Sequence, residues 1–102
     1  MEDTVVFKVK AILAVATAEW QAAVQLADRV SKAKDWIDGG YATLAMAITI
    51  YPEIEVEVDV DGGNVDEAHW RLQAKVGILK RRMAKYEVLV EEEEALRAAE
   101  TI

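Results

Sequence analysis

Residues 4–16 read Thr4-Val5-Val6-Phe7-Lys8-Val9-Lys10-Ala11-Ile12-Leu13-Ala14-Val15-Ala16. Every odd position from Val5 to Val15 is apolar, against Val6, Lys8, Lys10, Ile12 and Ala14 on the even positions. Such alternation among β-branched and aromatic residues predicts a strand with one buried face. A second period is written over the same letters. Val6, Val9, Leu13, Ala16, Trp20, Ala23, Ala27 and Val30 recur at three- and four-residue steps, as in a long helix. Which period wins decides the fold.

Beyond this stretch Thr17 is the expected N-cap of a helix, with Glu19 in its first turn. Trp20, Ala23, Leu26, Ala27, Val30, Ala33 and Ile37 form its apolar stripe, and Gly39-Gly40 ends it. Two alternating runs follow. Leu44, Met46, Ile48 and Ile50 share one parity, then Ile54, Val56, Val58 and Val60. Tyr51-Pro52-Glu53 separates them, so the pair predicts a β-hairpin. Asp61-Gly62-Gly63 reads as a turn, and Asn64 with Glu67 has capping-box spacing. A second helix carries Val65, Ala68, Leu72, Val76, Leu79 and Met83 inward and ends near Lys85. Lys85 to Val90 reads as a last strand, and residues 91–102 as a glutamate- and alanine-rich helical tail.

The expected fold is therefore an α+β, ferredoxin-like βαββαβ sandwich, a single domain over residues 1–102 with that tail. In this topology the first strand lies between the third and the fourth. Lys8 and Lys10 would then face an acidic face made of Glu53, Glu55, Glu57 and Asp59 on one side and Glu87 and Glu91 on the other. The alternative is two long antiparallel helices flanking a central β-hairpin. It extends the heptad of residues 6–30 and a second one through Val65, His69, Leu72, Val76, Leu79, Met83, Tyr86 and Val90.

Composition narrows the chemistry. Among 102 residues acids outnumber bases 19 to 12, for a net charge of −7, with 53% hydrophobic and 30% charged residues. That composition can fold and disfavours direct contact with nucleic acid. No cysteine is present, which removes disulfides, thiolate metal sites and cysteine nucleophiles. Ser31 is the one serine and His69 the one histidine. Asp59 to Glu67 loosely follows a calcium loop, but Gly63 falls where a ligand is needed and Trp70 where the bidentate glutamate belongs. No cofactor, metal or catalytic residue is expected. Charges interrupt the apolar stretches, and the acidic Met1-Glu2-Asp3 start is unlike a signal peptide, so a cytoplasmic chain without membrane contact is expected.

Three functions compete on these residues. The leading expectation is a non-enzymatic interaction module that self-associates, as a homodimer. Its contact surface would include Trp70 and Ile78, which fall opposite the second helix's core stripe, with Trp36, Tyr41 and Tyr51. The alternative is a small viral or mobile-element inhibitor of anti-CRISPR type. Its row of carboxylates, about 6.5–7 Å apart along a strand, would occupy the basic groove of a nucleic-acid-handling enzyme. The third is a small cofactor-independent enzyme using His69 as general base in a dimer cleft.

Overall fold

Residues 4–100 are described by the computed structural model, and every regular element among them is an α-helix. Helix α1 spans Thr4–Asp38, α2 Leu44–Ile50, α3 Ile54–Val60 and α4 Val65–Glu100. The start Met1-Glu2-Asp3 and the last two residues of the tail lie outside the described residues. Among the described residues no helix is long and apolar enough to cross a membrane.

The α+β, ferredoxin-like expectation is corrected by this. The segments expected as strands lie in α1, α2, α3 and α4, so among the described residues there is no sheet on which lysines could sit between glutamates. The long-helix alternative is corrected at its centre, where two short helices replace the hairpin. The second helix, expected to stop near Lys85, continues through the expected last strand and tail to Glu100.

The physical reason is an overlap of periods. Residues four apart share a face on a strand and also lie within about 40° of each other on a helix. The alternating runs therefore hide half-density helical stripes. In α3, Ile54 and Val58 are buried while Val56 and Val60 of the same strand parity are exposed. In α2, Leu44 and Ile48 are half-buried while Met46 and Ile50 are exposed. In α1 the strand reading would bury Phe7 and not Val6. Phe7 is 63% exposed and Val6 4%.

Helix ends follow local chemistry. After α1, the Tyr41 amide donates to the Trp36 carbonyl at 2.8 Å and the Gly40 amide to Ile37 at 3.1 Å. Gly40 holds φ +75°, which completes a Schellman motif. The same motif closes α3: Gly63 donates to Val58 and Gly62 to Asp59, with Gly62 at φ +65°. Asn64 caps α4 as expected, its Oδ1 accepting from the Glu67 amide at 3.1 Å. Thr43, not singled out from the sequence, caps α2 by accepting from the Met46 amide. Thr17 is no cap. It lies inside α1, where its hydroxyl donates to the Leu13 carbonyl at 2.8 Å.

Two compact units divide the chain, one of Met1–Gln21 with Gly77–Ile102 and one of Ala22–Val76. In the second unit Ala27, Val30 and Ala33 of α1, Ala47 of α2, Ile54 and Val58 of α3, and Ala68 and Leu72 of α4 form the core. Four of its eight members are alanines, which let helix backbones approach closely around the larger Ile54 and Leu72. In the first unit α1 pairs with α4. Lys10 meets Glu94 at 3.0 Å and Glu19 meets Arg82 at 3.0 Å, so rising numbers on one helix match falling numbers on the other. That pairing is antiparallel, and Lys10 finds its carboxylate on α4 and not on a neighbouring strand.

Candidate interaction surface

In the second unit two of the expected contact residues turn inward. Trp36 and Tyr51 are half-buried against the core, with rings stacked at 5.6 Å and 10°. Arg29 lies over the Tyr51 ring at 5.5 Å and pairs with Glu53. Two others stay outside: Tyr41 is 83% exposed and Trp70 67%. Ile78, expected to join Trp70 on one surface, belongs to the first unit.

The carboxylate row does not form. A helix turns about 100° and rises about 1.5 Å per residue, so alternate residues point to different sides. Glu57 and Asp61 fold onto Arg71, which donates to them at 2.7 and 3.0 Å. Those hydrogen bonds, Glu57 first and Asp61 next, hold the Arg71 pKa above its ordinary value. Only Glu55 and Asp59 of the four carry neither a hydrogen bond nor an ion pair among the described residues. Glu87 and Glu91 sit one turn apart on α4, both exposed.

Acid–base chemistry has little to work with. The Nδ1 atom of His69 is buried without a hydrogen-bond partner, and its ring meets the edge of Trp70 at 5.1 Å. Among the described residues no carboxylate orients it, as a general base would need. A cleft of about 270 Å³ in the same unit is lined by Ile37, Asp38, Leu44, Asn64, Val65 and Asp66. Beside it Lys34 bridges Asp38 at 2.6 Å and Asp66 at 3.5 Å. The hydrogen bond to Asp38 is the chief cause that keeps the Lys34 pKa raised. No nucleophile lines this cleft, and no cluster that could hold a metal ion occurs among the described residues.

The first unit carries the stronger signal. Its buried apolar residues among those described are Val6, Ala16 and Val90, flanked by half-buried Val9, Leu13, Trp20, Leu79, Met83 and Tyr86. Each helix spends one stripe on the other, and a second apolar set remains outside. On α1 it holds Phe7 and Val15, with Ala11 and Ala14 between them and Ala18 beyond. On α4 it holds Ile78, Val88 and Leu96, each more than half exposed. The sequence reading found Ile78 but missed Phe7 and Val88, because the strand assignment placed their segments in a sheet. The 4-3-4 spacing of Phe7, Ala11, Ala14 and Ala18 is the signal that could have found the first. Comparison with known protein families, characterised proteins and solved structures finds no match.

Proposed function

We propose that this protein is a non-enzymatic, self-associating interaction module that presents a rigid helical surface. One observation carries the reading: a two-helix pairing in the first unit leaves large apolar residues exposed on the far side of both helices. Exposed apolar area of this kind on an ordered scaffold is characteristic of contact surfaces. A second copy is the partner always available to cover it, and symmetric pairs are the commonest oligomers. In the second unit the exposed Trp70 and Tyr41 are the aromatic contacts offered to a different protein. The proposed setting is the cytoplasm, in keeping with a chain that has no cysteine.

Sedimentation velocity from low-micromolar to submillimolar protein tests this. The weight-average mass should rise from one chain toward two. A single monomeric boundary at every concentration overturns the reading.

A further inference from the structure

We infer that a second copy of this chain docks antiparallel on the outer face of α4 in the first unit, about a two-fold axis between Tyr86 and Glu87. This rests on the self-association reading and adds the face, the orientation and the register.

Ile78, Arg81, Lys85, Val88, Glu92 and Ala95 follow one another at steps of three and four residues, and all are exposed. That is the spacing of a coiled-coil seam, here with Ile78, Val88 and Ala95 apolar and Arg81, Lys85 and Glu92 charged. It runs along α4 opposite the half-buried stripe of Leu79, Met83 and Tyr86. The same helix therefore carries two seams, of which α1 covers one.

Charge is sorted along the open seam. Arg81 and Lys85 come first and Glu92 last; along the helix Lys80 also precedes the axis, and Glu87 and Glu91 follow it. None of these six residues forms an ion pair among the described residues, although Arg82 and Glu94 beside them do. A parallel copy would set Arg81 on Arg81, Lys85 on Lys85 and Glu92 on Glu92. An antiparallel copy reverses the order. With the axis between Tyr86 and Glu87, Arg81 faces the second copy's Glu92 and Ile78 faces the second copy's Ala95. Lys85 covers the second copy's Val88 with its aliphatic stem. Large packs against small, plus meets minus, and every contact is made twice by symmetry. An unrelated partner would have to bring its own complement, whereas this pattern is its own complement when inverted.

Sedimentation equilibrium on the full chain reads the dimer. Arg81→Glu and Glu92→Arg each put like charges face to face and should weaken it by about tenfold or more. The combined variant restores opposite charges and should recover most of the lost affinity. Circular dichroism checks that α4 stays helical in each. Spin labels read the orientation, since the cysteine-free chain accepts one cysteine at a time. Labels at Glu87→Cys should lie close together. Those at Lys80→Cys should be separated along the helix by about 20 Å. A dimer indifferent to Arg81→Glu overturns this face while sparing self-association. Failure of the combined variant to recover, or equally short distances at both labels, overturns the antiparallel register. A chain that never dimerises overturns both readings.

Discussion

Arg71 of α4 clamps Glu57 of α3 twice, its Nη2 donating to the Glu57 carboxylate at 2.7 Å and to the Glu57 backbone carbonyl at 3.1 Å. Its Nε reaches Asp61 at 3.0 Å, just past the end of α3. One guanidinium thus fixes a seven-residue helix that is far too short to stand alone, since isolated helices under about 12–15 residues are marginal in water. Arg71→Ala should cost about 1–3 kcal/mol, the range for lost hydrogen bonds to charged groups with partners left half-buried. Arg71→Lys should lie between, because an ammonium cannot reproduce the fork. Urea unfolding measures both, and an unchanged midpoint in Arg71→Ala would show the clamp to be ornamental.

Val56 and Val58 offer an internal control on the helical reading. They share a strand parity, yet Val58 is 1% exposed and Val56 69%. Val58→Ala should destabilise by about 1–3 kcal/mol through lost burial and the cavity left behind. Val56→Ala should stay within about 0.5 kcal/mol and lean toward stabilising, as alanine is the better helix former. Equal losses at both sites, measured by chemical denaturation, would mean a shared buried face and a strand.

Helix ends can be tested separately from the core. Asn64→Ala removes the acceptor for the Glu67 amide and should cost about 1 kcal/mol. Gly40→Ala forces a Cβ into the left-handed region at φ +75° and should cost about 1–2 kcal/mol. Thermal melts of the two variants and of their combination should show near-additive losses, since the sites share no partner.

The tryptophans should separate cleanly. Trp36 stacks on Tyr51 against the core, so Trp36→Ala should cost about 2–3 kcal/mol, below the roughly 3–5 of a fully buried ring. Trp70 is exposed and should lose no more than about 0.5 kcal/mol on truncation. If Trp70→Ala instead lowers the unfolding midpoint as much as Trp36→Ala, its ring is structural and not a surface contact.

Local chemistry was legible and long-range choice was not. Gly39-Gly40, Pro52 and Asp61-Gly62-Gly63-Asn64 mark the observed breaks, because positive φ, a missing donor and a capping side chain act within a few residues. The two heptads, through Val6 to Val30 and Val65 to Val90, were visible along with the strand alternation that competed with them. What misled was the density of valine and isoleucine in residues 4–16 and 44–60. Their helical propensity deficit is only up to about 0.7 kcal/mol per residue. Burial of one such side chain returns about 1.5–3 kcal/mol. Packing of Ile54 and Val58 into the core with Val30 and Leu72 therefore outweighs the local preference of α3. The acidic surface fell with the strand that was to display it, since the direction of a side chain depends on the period of its backbone.

Where the chain turns, and that Asn64 caps the helix after the last turn, are properties of the amino-acid order alone. Whether the apolar stripes wind with a period of two or of about three and a half was decided by tertiary contacts. A residue and its fourth neighbour share a face under both periods, so no local signal separates them. Only the core around Leu72 and Ile54, assembled from segments far apart in the chain, makes one choice the more deeply buried.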